Sequence, residues 1–588
     1  VTRHTAAIPA PRPPRPEPWE PRLRYHAWIL QQLPTPDDLT RQRLAVHRWR
    51  DAPAISVVTP VYNTPPEMLR RMVQSVRRQS YPHWELCLVD DGSPAPWMTA
   101  CLARLAAGDS RIRVTRRAQN GGIVAASNDA LAMATGDFVA LLDDDDELDP
   151  RALFAVAREI VARRDVDAIY TDFDVIGTDG IRYEPVLAPD WSPELLLAIP
   201  YIVHLTAYRR DLVQRLGGFR AEYEGSQDYD LALRVTRATD RIVHIPEVLY
   251  HWRAWARSAA GNPAAKPYAY AAGIRAITEH LRGHAFEARR EEGHGIGLHA
   301  VRFAIQGQPP PLVSVIVPLL PRNGDVDVNM DGVGVGVGVS RARETGSVLR
   351  NLSALVRGTA YARCEYVIVG PAAESAWVMS ALAASDVDAL RQRARFVAYD
   401  GPPDAALAAN LGAAHARGEH LLFLDDGLEP LCEDWLSALL EFSQQPGIGA
   451  VGAKIYRNDD TIWHGGLIVP RAAPHLVWRD DAITRNYAAV SGACLMTRRA
   501  TFDALGGFQP GETVGCSDVD YCLRLRERGE RIVFTPYARL RHVAAPPPEA
   551  GPARRATFHR HWRDRMQLDP YYNRNYRQDG PWFAVALD

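Results

Sequence analysis

The sequence predicts an α/β chain of two tandem domains, each with a mostly parallel central sheet. Three observations carry this: short apolar strands alternate with amphipathic helices, the strands end in acidic residues, and both features return in the same order in the second half. Strand–helix alternation covers both faces of a parallel sheet with helices, and ligands then collect outside the strand carboxyl ends.

Residues 1–50 begin "VTRHTAAIPAPRPPRPEPWEPRLR", a proline- and arginine-rich arm leading into a helical stretch. The arm has no apolar segment of the signal-peptide kind, and no run in the chain reaches the ~18–20 apolar residues that span a bilayer. Val1 is not an initiator Met, which leaves room for residues upstream. The expected location is cytoplasmic, with a peripheral contact on the cytoplasmic face of the inner membrane compatible with it.

The first domain is placed at residues 51–290. "ISVVTPV" (55–61) is β-branched and apolar and reads as a buried strand. "PPEMLRRMVQSVRRQS" (65–80) sets Met68, Met72, Val73 and Val76 on one helical face. "WELCLVDDGS" (84–93) is a second strand stopping in acid and a glycine turn, "GGIVAASNDALAMAT" (121–135) a helix, and "DFVALLDDDD" (137–146) a third strand. Residues 291–311 form a linker, and 312–588 a second, divergent domain.

There "LVSVIVP" answers "ISVVTP", "GEHLLFLDDGLEP" answers "GDFVALLDDDDELDP", and "LGGFQPGETVGCSDVDYCLRL" answers "LGGFRAEYEGSQDYDLALRV". The landmark pairs Ser56/Ser314, Asp143/Asp425 and Asp228/Asp518 keep their order with a slowly growing offset, the mark of a duplicated domain. A low-complexity insert at 323–347 follows the second opening strand. Its "DVNMDG" starts like a calcium loop, but the twelfth position is Gly338 rather than Glu, which argues against calcium. "GIGAVG" (447–452) follows a helical stretch and precedes a strand, the reverse of a dinucleotide fingerprint, and reads as a glycine turn.

With 47% hydrophobic residues, 23% charged and a net charge of -2 among 588 residues, the composition is globular and argues against nucleic acid as a partner. Seven cysteines without a CxxC pair fit a reducing compartment and offer no zinc knuckle.

Four successive aspartates, Asp143 to Asp146, pose the main chemical question. At an effective dielectric near 20, two carboxylates ~6 Å apart repel by roughly 3 kcal/mol. Either the run is a solvated turn or a cation sits on it. Alternation along a strand would put Asp143 and Asp145 on one face and Asp144 and Asp146 on the other.

"PVYN", "LVDDGSP", "NGGIVAASNDALAMATGDFVALLDDDDELDP", "GGFR…GSQDYDLALR" and "LYHWR" together resemble family 2 glycosyltransferases of the GT-A fold, the Rossmann-like nucleotide-diphospho-sugar transferase architecture. The nearest type is the tandem-domain group of bacterial surface-polysaccharide (O-antigen-like) loci. The resemblance implies a DXD motif at Asp143 and Asp145 that holds Mg²⁺ or Mn²⁺, with His251 reaching the metal or diphosphate. It places Pro60, Tyr62, Asp90, Asp91, Asn120, Gly121, Asp143 and Asp144 around a nucleotide sugar, UDP- or dTDP-linked, and makes Asp228 the general base. A carboxylate there would take the proton of an acceptor hydroxyl, giving single displacement with inversion. Asn128 is a weaker candidate ligand, Asp230 reads as structural, and Trp252 and Arg253 are candidates for acceptor stacking or phosphate pairing.

In the second half Gly370 and Pro371 replace Asp90 and Asp91, and Gly427 replaces the second acid of the DXD. That domain is therefore expected to be degenerate or weakly active. The acceptor implied is a growing glycan, free or lipid-linked, with other polysaccharide-assembly proteins as further partners. Two alternatives stand beside this expectation: both domains active, or a glycan- or nucleotide-binding scaffold without turnover. A nucleotidyltransferase would need a glycine-rich phosphate loop with Arg or Lys after the first strand, which "PVYNTPPEM" lacks.

Overall fold

A computed structural model describes residues 19–255, 267–292, 297–319, 345–400, 404–469, 475–476, 482–510, 516–543, 552–563, 565, 568–577 and 584–587. The first eighteen residues of the arm, the "DVNMDG" segment and the Gly-Val tract lie outside the described residues.

The first domain is built on β1 (Ile55–Val61), β2 (Trp84–Asp90), β3 (Ile112–Arg116), β4 (Phe138–Leu141), β5 (Glu147–Leu148), β6 (Ala168–Ile176), β7 (Arg182–Val186), β8 (Thr206–Arg209) and β9 (Ile242–Arg253). They form one sheet in the order β3-β2-β1-β4-β8-β6-β9-β5, with β7 on β6. The β3-β2-β1-β4 side is parallel throughout. β8 then runs antiparallel between β4 and β6, and β9 returns parallel to β6. β1 and β2 are mostly apolar and buried along nearly their whole length because helices cover both faces. The helix Pro66–Arg77 buries Leu69, Met72, Val73 and Val76, one position away from the predicted Met68. β3 escapes sequence reading because it is a half-exposed edge strand within "RIRVTRR", a stretch with four arginines.

The second half repeats the order of the eight main strands and adds Arg485–Asn486 beside Arg531–His542. Its sheet runs Ala394–Tyr399, Cys364–Pro371, Val313–Pro318, His420–Leu424, Cys494–Arg498, Ile448–Tyr456, Arg531–His542, Leu428–Pro430. Small polar devices repeat too. Ser56 Oγ donates to Glu85 and accepts from Gly136 N, as Ser314 Oγ does with Glu365 and Gly418 N. Asn128 brackets the backbone of Phe219 from both sides, as Asn410 does for Phe508. Asn128 thus holds the "GGF" turn. Of "GIGAVG", only Gly447 is a turn residue, at φ 75°, and the strand starts at Ile448.

The linker is more structured than expected. Ala288–Glu292 pairs antiparallel with His299–Phe303, and Arg302 reaches into the second half to meet Glu441 at 2.7 Å. Their side chains are 10% and 7% exposed. Glu441→Ala would leave a buried guanidinium with only Asp434 and Glu291 nearby. It should cost about 3–5 kcal/mol, read as a lower denaturation midpoint.

The halves share a hydrophobic cluster in which Tyr170, Leu195 and Tyr229 join Val313, Leu439 and Val533. Polar ties cross the same surface: Ser192 to Asn486, Arg531 to Glu194 and Asn573 to Asp172. Among the described residues, no helix is long and apolar enough to cross a membrane.

Candidate functional site at the strand ends of the first domain

β4 stops at Leu141, so the four aspartates lie in a turn and not on alternating strand faces. Each goes its own way. Asp144 accepts from Tyr62 N at 3.0 Å and from the Thr64 hydroxyl, pinning the loop after β1. Asp146, fully buried, accepts from the Tyr250 hydroxyl and from Arg253 N at 2.7 Å. Asp145 accepts from the Trp255 indole N–H at 2.5 Å, and its carbonyl accepts from Arg253 Nε at 2.8 Å. Arg253 therefore braces the acidic turn from behind. Burial, with the neighbouring Asp145 and Asp143 charges, raises the pKa values of Asp144 and Asp146. The run is not a free solvated turn: donors hold Asp144, Asp145 and Asp146 one at a time.

Asp143, Asp146 and His204 bring one donor atom each to within 4.8 Å of one another. Two ligands on opposite sides of a hard cation at about 2.1–2.4 Å stand about that far apart. The His204 ring stacks on Tyr250 at 4.3 Å and 7°, and burial lowers its pKa to about 4. It is thus neutral near pH 7, with a lone pair available for coordination. Two carboxylates and an imidazole fit Mn²⁺ better than Mg²⁺, which favours oxygen donors alone. Asp146 can still ligate, because each carboxylate oxygen has a second lone pair beyond the hydrogen bond it accepts.

Asp228 stands in the first turn of the helix Gln227–Ala238, where its Oδ1 accepts from Tyr229 N at 2.8 Å. Burial raises its pKa; Asp143 adds to the rise, while the Tyr229 N–H and His204 oppose it. Asp228 therefore shares one electrostatic field with two members of the trio. Asp230 is buried between Arg220 and Arg234, a structural knot.

His251 is not part of this cluster. Its Nδ1 lies 2.7 Å from Asp174 and its Nε2 3.0 Å from Arg182 Nη2. Asp174 also accepts from the Tyr25 hydroxyl, so this knot ties the helix Trp19–Gln31 to β6, β7 and β9. Of the expected metal set Asp143, Asp145 and His251, only Asp143 lies in the group of three donors with Asp146 and His204, while Asp145 meets Trp255 and His251 meets Asp174 and Arg182. Sequence reading missed His204 because "YIVHLTAYRR" has no acidic neighbour. Its one signal was a polar residue just before a strand paired to the DXD strand.

On the other side of β1, Val61 and Asp90 are in register, as are Asp90 and Arg116. Pro60 lies within β1 opposite Val89. Asp90 is fully buried, accepting from Ser93 N at 3.0 Å and pairing with Arg116 at 2.9 Å. Asp91 accepts from Gly121 N at 2.9 Å and Gly122 N at 2.8 Å, and pairs with Arg117. The amides expected to meet a diphosphate at Gly121 are thus taken by Asp91, and both aspartates build the rim. Gly92, at φ 68°, has no room for a Cβ, which would fall 2.8 Å from Asn120 N. This close approach draws Asn120 to the same rim. Tyr62 is 47% exposed there, a free aromatic face beside the acidic turn.

The corresponding corner of the second half is built differently. Asp425 lies 3.0 Å from His542 Nε2. Asp518 accepts from Gly492 N and Val519 N, and burial raises its pKa. Among the described residues only the first-half trio gathers three such donors.

Residues 56–217 match Glycosyl transferase family 2. The chain is 37% identical over 561 residues to the uncharacterized protein y4gI of Sinorhizobium fredii, covering 90% of this chain and 58% of that protein. It is 33% identical over 593 residues to the O-antigen biosynthesis protein RfbC of Myxococcus xanthus, covering 95% and 44%. The chain thus spans about half the length of these relatives. The crystal structure of S. aureus TarS 1-349 in complex with UDP-GlcNAc aligns at 20% identity over 40% of this chain and 68% of that chain, with a TM-score of 0.34.

Proposed function

From the premise that residues 56–217 form a family 2 glycosyltransferase domain, we propose that the first half transfers a sugar, with inversion, from a nucleoside-diphosphate donor to a hydroxyl of a bacterial surface glycan. The observation that carries this reading is the gathering of Asp143, Asp146 and His204 at one edge of the sheet, with Asp228 in the field of Asp143 and His204. The name of the Myxococcus xanthus relative supports surface polysaccharide as the product class.

The donor base would lie against Tyr62 and the Asp90–Ser93 turn, and the diphosphate toward Asp143. A divalent cation bound by Asp143, Asp146 and His204 would offset the charge on the departing diphosphate. Asp228 takes the proton of the acceptor hydroxyl as its oxygen attacks the anomeric carbon. The bond from that carbon to the diphosphate oxygen breaks, and the nucleoside diphosphate leaves. A raised carboxyl pKa suits this task, since a stronger base draws the proton better. Arg253 holds the acidic turn in place throughout.

The test is a donor-hydrolysis screen of the full chain against UDP- and dTDP-sugars, with and without Mn²⁺. At least one donor should be hydrolysed only with the ion, and Asp143→Ala should remove that activity while the melting profile stays near wild type. Hydrolysis that persists in EDTA would sink the metal assignment, and a blank across the whole panel would favour the non-catalytic scaffold.

A further inference from the structure

The two sheets differ most at the end opposite the acidic turn. In the first half the indole of Trp84, at the start of β2, fills the sheet's amino-terminal edge. The Arg111 guanidinium lies 3.7 Å above that ring and pairs with Asp109 at 2.8 Å. Arg113 pairs with Glu85, so both arginines are neutralised.

The second half keeps the frame and loses the filling. Glu365 takes the place of Glu85, opposite Ser314 as Glu85 is opposite Ser56. Cys364 stands where Trp84 would be, and Arg393 and Arg395 where Arg111 and Arg113 would be. Arg391 occupies the position of Asp109, so Arg393 has lost its acid. Arg363 replaces His83 and Arg417 replaces Thr135, adding two cations.

The result is a cavity of about 550 Å³ lined by Arg363, Arg393, Arg395 and Arg417 around Glu365 and Cys364. Glu365 is engaged by Arg395. Arg363, Arg393 and Arg417 have no carboxylate partner among the described residues. A second hollow of about 510 Å³ shares Arg363 and Arg393 and is otherwise lined mainly by apolar atoms of Pro310, Ala360 and Tyr361.

Four arginines line one cavity around a single carboxylate, with the Arg393 guanidinium also donating to the Ala362 carbonyl, so the lining carries excess positive charge that an anion would offset. The planar guanidinium forks match phosphate oxygens in pairs. We propose that this pocket docks a phosphate-bearing anion, with the neighbouring apolar hollow receiving whatever nonpolar group that anion carries. The site is separate from the acidic turn, belongs to the divergent half, and does not depend on the transferase reading.

Two sources share this chemistry, a lipid headgroup and a soluble phosphate ester. The full chain is therefore tested by sedimentation with phosphatidylcholine vesicles, with and without phosphatidylglycerol. Calorimetry with inorganic pyrophosphate is run in parallel, without divalent ions and in the Asp143→Ala background to silence the acidic turn. Each arm is repeated with Arg363→Glu/Arg393→Glu and with the milder Arg363→Gln/Arg393→Gln, their folding checked by thermal melts.

Wild-type binding in either arm should weaken at least about tenfold in the double variants, since each removes two charge-assisted hydrogen-bond donors. Loss confined to phosphatidylglycerol vesicles assigns a lipid headgroup, and loss confined to pyrophosphate assigns a soluble ligand. Binding that is absent in both arms, or equal in wild type and variants, overturns the proposal.

Discussion

Asp228→Asn is expected to lower turnover by about 10²–10⁴-fold, the worth of a positioned base, while donor affinity stays within severalfold. The asparagine keeps an oxygen for the Tyr229 amide, so the helix start should survive and the melting profile should stay near wild type. What it loses is basicity beside Asp143 and His204. Turnover and donor affinity measured on the same preparation decide the matter. If affinity collapses together with rate, Asp228 is a structural cap and the base must be sought elsewhere.

His204→Ala and His251→Ala should fail in opposite ways. Removing His204 takes a donor from the trio without opening an ion pair. Dependence on Mn²⁺ should shift to higher concentration by at least the ~10–100-fold that even indirect metal partners carry. Removing His251 instead leaves Asp174 and Arg182 short of a partner inside the knot that holds the helix Trp19–Gln31. That should lower stability by about 1–3 kcal/mol, while the Mn²⁺ dependence of the folded fraction stays unchanged. Titrations of activity against Mn²⁺, beside denaturation curves, separate the two. A stable His251→Ala protein with altered Mn²⁺ dependence would return His251 to the metal and contradict the trio.

The two halves also constrain how the protein can be divided. The sequence repeat suggests two separable domains, yet Tyr170 and Val313 belong to one buried cluster, and Asn573 near the carboxyl end bonds Asp172 of the first half. A cut near residue 300 would expose apolar surface that no repeat pattern reveals, because contacts between halves do not follow the periodicity within either.

Periodicity and composition determined the α/β class, the duplication and the end of the sheet where the chemistry gathers. Apolar runs such as "ISVVTPV" and the return of "LGGF…SD" or "LGGF…SQD" in both halves are local signals, readable residue by residue. Asp143 and Asp228 were singled out through the family resemblance of the motifs around them. Which acids face which partners was decided only by tertiary structure. The alternation rule assumed a strand through Asp146, but β4 ends at Leu141 and the turn sends Asp144 to Thr64 and Asp146 to Tyr250. His204 joins Asp143 because β8 runs antiparallel beside β4, a pairing between residues distant in sequence. His251 points elsewhere because the buried Asp174 and Arg182 claim its two nitrogens. A side chain's chemistry is written in its own residue, but its partner is chosen by whichever buried group most needs a hydrogen bond or a charge, and only the packed fold brings those groups together.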